Sequence, residues 1–164
     1  KLFATRGVKK TYWAAVRGVP SPAQSKVDVA LIKAKGPRGD QVRPSEEGEE
    51  EEAQRAVTHY NVIDKAPPVL AWVSLKPVTG RQHQLRAHMA HIGTPIAGDE
   101  KYHGDKDLPA SISRKLHLHA RRIVFAHPRD GKTVDVTAPL PAHMRETFQL
   151  FGFDADRYEA AEET

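Results

Sequence analysis

Residues 55–75 constrain the fold of this chain more than any other stretch. In RAVTHYNVI (55–63), Val57, His59, Asn61 and Ile63 fall on one side of an extended chain, with Ala56, Thr58, Tyr60 and Val62 on the other. Strand side chains alternate between faces, so this period of two predicts a strand. Asp64-Lys65-Ala66-Pro67-Pro68 interrupts the run, and VLAWVSLKP follows with Val69, Ala71, Val73 and Leu75 alternating. A short loop of this kind joins antiparallel neighbours. The near-continuous apolarity from Val69 to Val73 predicts that the second strand lies centrally in its sheet.

The flanking sequence extends that sheet. Thr11, Tyr12, Trp13 and Val16 precede Gly18 and Pro20, which predicts a strand over 10–17 closed by a turn. Val27, Val29 and Leu31 alternate with Asp28 and Ala30, as in a half-buried strand. LHLHARRIVFAH predicts a strand over 118–126, which a turn at Asp130-Gly131 joins to TVDVTAP as a second hairpin. The helical signal falls between. Leu85, Met89 and Ile92 recur at helical spacing, Thr79 and Gln82 have capping-box spacing, and Gly93 with Pro95 supplies the stop, predicting a helix over 80–92. Gly98-Asp99 reads as a turn, 101–111 as a loop and 141–151 as a short helix. The class is α+β: a mainly antiparallel, mixed sheet of at least six strands flanked by two or three helices.

A chain of 164 residues is long enough to bury one core, so a single domain is expected. With no cysteine, disulfide frameworks, thiolate metal sites and thiol nucleophiles are excluded. No apolar run approaches the roughly 20 residues of a membrane span, and a soluble, cytoplasmic protein is expected. The net charge of +4 averages over unlike segments. Six Glu lie in 46–52, within a predicted Gly/Pro-bearing loop at 35–53, and the tail 154–164, expected to fray, holds five acids and one Arg. The remainder carries 24 Lys and Arg against 10 Asp and Glu, a polyanion-binding profile.

Candidate chemistry concentrates on the predicted helix, where Arg81, His83, Arg86, His88 and His91 crowd together. Arg86 lies mid-helix beside the apolar stripe, so its guanidinium needs a fixed acceptor, and its planar fork suits a carboxylate or phosphate. Arg81 sits in the first turn, where the helix dipole disfavours a cation; it is open to a partner anion, a loop or plain solvent. His88 with His91, and His117 with His119, could in principle meet around a metal, but no third carboxylate ligand or H-E-x-x-H motif accompanies them. Phosphate-cradling glycine loops and a serine elbow are absent from the sequence.

TGRQHQLRAHMAHIGTPIAGDEKY, residues 79–102, resembles the motif of RluA-like pseudouridine synthases, T-G-R-x-H-Q-[IL]-R-x-H with a following G-x-P-[IL]-x-G-D-x-x-Y. KKTYWAAVRG at 9–18 and LHLHARRIVFAHPRDGK with APLP resemble two further segments of that family in order and spacing, so the likeness runs over about 2–150. It implies the pseudouridine synthase catalytic fold in residues 1–153. It also implies isomerisation of uridine to pseudouridine in ribosomal or transfer RNA, without cofactor or metal. Arg86 would hold the carboxylate of the family's essential aspartate. Tyr12 would stack on the target base and relay a proton. Lys10, Arg81, His83, Gln84 and His88 would contact RNA.

One departure is explicit. The family carries its aspartate in an H-R-L-D segment, and none occurs here. None of Asp28, Asp40, Asp64, Asp99 or Asp130 has a similar context, and Asp99 matches the family's G-D position, expected to be a turn residue supporting the site. The chain is therefore expected to be the C-terminal part of a catalytic domain, inactive by itself. The alternative is a non-catalytic RNA-binding module on the same scaffold.

Overall fold

The computed structural model describes residues 7–103 and 107–159. Its centre is a six-stranded antiparallel sheet. The strands are β1 (Lys9–Arg17), β2 (Gln24–Asp28), β5 (Val57–Ala66), β6 (Leu70–Pro77), β7 (Leu118–Ala126) and β8 (Thr133–Thr137). Their order is β2-β5-β6-β1-β7-β8. A separate hairpin pairs β3 (Leu31–Gly36) with β4 (Gly39–Pro44). Three helices complete the described chain: α1 (Gln84–His91), α2 (Ala142–Phe151) and α3 (Ala155–Glu159).

β6 lies between β5 and β1 and is buried from Leu70 to Leu75, which accounts for its unbroken apolar run. Leu70 and Trp72 meet Trp13, Met144 and Phe148 on the face covered by α2. Ala71, Val73 and Leu75 meet Leu85, Met89 and Ile96 on the face covered by α1. Trp13 and Trp72 stand edge to face, their centroids 4.8 Å apart, and Phe148 closes on Trp72 at 4.7 Å, a geometry favoured by aromatic quadrupoles.

Three segments differ from their sequence-based expectation. The alternation of Val27, Val29 and Leu31 spans two strands, because the chain leaves β2 at Asp28 and re-enters a different sheet at Leu31. The loop expected at 35–53 holds most of the β3–β4 hairpin. That hairpin folds because Leu31 and Val42 bury against Ala87 of α1 and Ala56, an apolar contact distant in sequence. Beyond it, Glu49 accepts a two-pronged pair from Arg43, which holds its carboxyl down at about 2. The tail does not fray through 155–159: Tyr158 stands edge-on to Trp72 at 5.3 Å, so α3 is fixed by packing despite its charge. The rest of the tail, 160–164, lies outside the described residues.

Candidate active-site cleft

The predicted helix 80–92 is observed only from Gln84 to His91. His83 adopts the left-handed conformation (φ 53°), which a helix interior does not tolerate, so 81–83 form a turn. Gln84, and not Gln82, completes the polar bracing. Thr79 Oγ1 accepts the Val57 amide and donates to Gln84 Oε1 at 2.6 Å, while Gln84 Nε2 donates to the Val57 carbonyl and to Thr58 Oγ1. The start of α1 is thereby fastened to β5. Gln84 lines the cleft but is 3% exposed, and its carboxamide is taken up by these bonds, so it braces the turn where a free RNA-contacting side chain was expected.

His88 is a second correction. It is 0% exposed, with Nδ1 on Thr58 Oγ1 and Nε2 on the Val29 carbonyl, both at 2.8 Å. A ring without exposed surface cannot touch RNA. Burial lowers its pKa, so the unfolded state takes up a proton that the folded state resists. The stability associated with a neutral His88 is present above the unfolded value of about 6.5 and is lost as pH falls toward the lowered folded value. His88→Ala should destabilise the fold by about 2 kcal/mol at pH 7.5 and flatten the decline of stability between pH 7.5 and 5. Urea unfolding at the two pH values checks both effects, and an unchanged pH slope would contradict the assignment.

The other residues expected at the site, on β1 and at the entry to α1, come together. Lys10, Tyr12, Arg81 and His83 line one cleft of about 850 Å³, with Arg86 at its wall and Val78 at its rim. Lys10 and Tyr12 project from the same face of β1, two residues apart. Arg81 is also fixed to the protein, its Nε donating to the Arg55 carbonyl at 2.8 Å. His117 and His119, the second candidate metal pair, are held apart from α1: His117 bonds the Lys115 carbonyl and Thr147, and His119 the Ala138 carbonyl.

Arg86 has the acceptor its position demanded, and the acceptor belongs to this chain. Its Nε and Nη2 donate to the two carboxylate oxygens of Asp99 at 3.0 and 2.8 Å. Asp99 is 0% exposed, and its Oδ1 also accepts the amides of Lys101 and Tyr102. The expected turn residue is thus the partner of the guanidinium, and the pair raises the Arg86 pKa further above its ordinary value. Nη1 of Arg86 makes no hydrogen bond among the described residues, so a second carboxylate could be accepted on that side of the fork. Tyr102, which the residue pattern gave no separate role, lies against this group with its ring centroid 5.3 Å from the guanidinium carbon. Its spacing in G-D-x-x-Y was the only available signal.

A cleft lined by Lys10, Arg81 and Arg86 around the half-buried ring of Tyr12, set where α1 meets β1, is the candidate site of this α+β fold. A family model described as RNA pseudouridylate synthase matches residues 1–91. The chain belongs to the RNA pseudouridylate synthase family. It is 41% identical over 139 residues to the dual-specificity RNA pseudouridine synthase RluA of Salmonella typhi, covering 85% of this chain and 60% of that protein. It is 35% identical to ribosomal large subunit pseudouridine synthase C of Rickettsia bellii, covering 86% of this chain and 45% of that protein. The chain therefore spans about 60% of the length of the RluA relatives it matches. The solved structure of human RNA pseudouridylate synthase domain containing 4 superposes with a TM-score of 0.70 at 30% identity, covering 92% of this chain and 65% of that one.

Proposed function

We propose that the protein containing this chain isomerises uridine to pseudouridine in RNA of the large ribosomal subunit or in transfer RNA, in the cytoplasm. Tyr12 and Arg86 work at the reacting base, and the nucleophilic aspartate is supplied by sequence outside these 164 residues. The observation that carries the reading is the state of Arg86. One side of its fork is fixed by buried Asp99, and the other remains for a carboxylate in a cleft that also holds Tyr12.

The chemistry then divides among the residues. Lys10 and Arg81 neutralise backbone phosphates, a sequence-independent contribution that falls with salt. Tyr12 offers its ring to the extracted uracil and its hydroxyl to the proton leaving carbon. Arg86 holds the aspartate at the reacting sugar or base, and Asp99 keeps the guanidinium from turning away.

The test is tritium release from RNA labelled at uracil C5, using the protein with the sequence that precedes Lys1 in its gene. Release with formation of pseudouridine is expected. RNA binding without release, together with no H-R-L-D-like segment upstream, would establish the non-catalytic RNA-binding module instead.

A further inference from the structure

His83 is the single non-glycine residue with positive φ among the described residues, and it sits in the cleft three positions before Arg86. Backbone strain of this kind persists where surrounding structure enforces it. The turn's backbone is held by the Gln84 amide on the Arg81 carbonyl, and the ring by Tyr102, whose hydroxyl lies 2.9 Å from His83 Nδ1. The same hydroxyl oxygen accepts the Val42 amide of β4 at 3.1 Å. A phenol has one proton to give, and burial raises the Tyr102 pKa, so that proton remains on oxygen. Val42 is a donor to it, and among the described residues Nδ1 is the one acceptor within hydrogen-bond distance of that hydroxyl, which directs its proton there. The imidazole then accepts at Nδ1 and carries its own proton on Nε2. Burial, followed by the charges of Arg86 and Lys101, lowers the His83 pKa and keeps the ring neutral near pH 7; Asp99 opposes this more weakly.

We propose that His83 is held by Tyr102 as the Nε2-protonated tautomer and presents that N–H to the cleft as a fixed donor to a carbonyl oxygen of the uracil bound there. The uracil rests on the function proposed above; the tautomer does not. A neutral donor matches a neutral carbonyl, whereas phosphates are matched by the permanent cations Lys10 and Arg81. The arrangement also links the β3–β4 hairpin to the site. Val42 fixes Tyr102, Tyr102 fixes His83, and Tyr102 lies against Arg86.

Nitrogen-15 NMR of the imidazole at pH 7 reads the tautomer directly in this chain, without any activity. A protonated Nε2 and bare Nδ1 are expected for His83, with a mixture in Tyr102→Phe. A protonated Nδ1, or an imidazolium, in the unmutated chain would overturn the proposal. The contact is read in the protein with its upstream sequence, by comparing His83→Gly, which suits the left-handed backbone, with the unmutated form. Loss of the donor should lower kcat/KM about tenfold on uridine RNA. On RNA carrying 2-thiouridine or 4-thiouridine, whose sulfur accepts poorly, one of the two should abolish the difference between the proteins. An undiminished difference on both thio-substrates, or a changed salt slope of RNA binding in His83→Gly, would assign the ring to phosphate and reject the carbonyl contact. Absence of turnover in every form would reject the proposed function while leaving the tautomer result standing.

Discussion

Gly98→Ala should destabilise the protein by at least about 3 kcal/mol, through strain and collision acting together. Gly98 has φ +81°, and a Cβ there would lie 2.1 Å from the Lys115 carbonyl oxygen and 2.5 Å from its carbon. Both obstacles are backbone, so no rotamer change relieves them. The segment it meets is held in turn: the His117 amide donates to the Ala97 carbonyl at 2.8 Å, and the Ala97 amide to the Ala15 carbonyl at 2.9 Å. Displacing 97–99 therefore disturbs β1 and moves Asp99, the next residue, away from Arg86. Urea unfolding of Gly98→Ala beside Gly39→Ala, which also has positive φ but no neighbour within 4 Å, separates the two causes. The Gly39 change should cost only about 1–2 kcal/mol. Equal losses would show that contact with Lys115 contributes nothing.

Arg86→Met should be damaging for two separable reasons. It removes the cation from a carboxylate that is 0% exposed, and breaking a buried pair from one side costs about 3–5 kcal/mol. It also removes the group proposed to hold the nucleophilic aspartate. The double substitution Arg86→Met with Asp99→Asn separates these effects, because the carboxamide carries no charge yet still accepts the amides of Lys101 and Tyr102. The loss of stability in the double variant should be smaller than the sum of the single losses by about 2 kcal/mol. Its turnover should stay depressed about a hundredfold or more, with RNA affinity within a few fold of the unmutated protein. Recovery of turnover in the double variant would mean that Arg86 acts only as the structural partner of Asp99.

Sequence periodicity was most informative where one structural layer decides a residue's surroundings. The β5–β6 and β7–β8 hairpins, the central position of β6 and the α2 helix follow from alternation, turn residues and helical spacing. It was least informative at α1, which is enclosed by the sheet on one side and the β3–β4 hairpin on the other. A polar residue on such a helix can be interior, and Gln84 and His88 are, because Thr58, Val57 and Val29 provide their partners from distant segments. The same reason hid the hairpin: its strands are charged along their exposed sides, and contact with Ala56, Ala87 and Tyr102, distant in sequence, gives Leu31 and Val42 somewhere to be buried.

The sequence by itself determined the α+β class, the family likeness at 79–102 and the need of Arg86 for an acceptor, since each depends on residue type and local spacing. Which acceptor Arg86 takes, which histidine faces the cleft and which is core, and which tautomer His83 adopts were decided by tertiary structure. Hydrogen-bond partners are set by proximity in space: Asp99 reaches Arg86 from 13 residues away and Tyr102 reaches His83 from 19, while Val42, which fixes Tyr102, belongs to another sheet altogether.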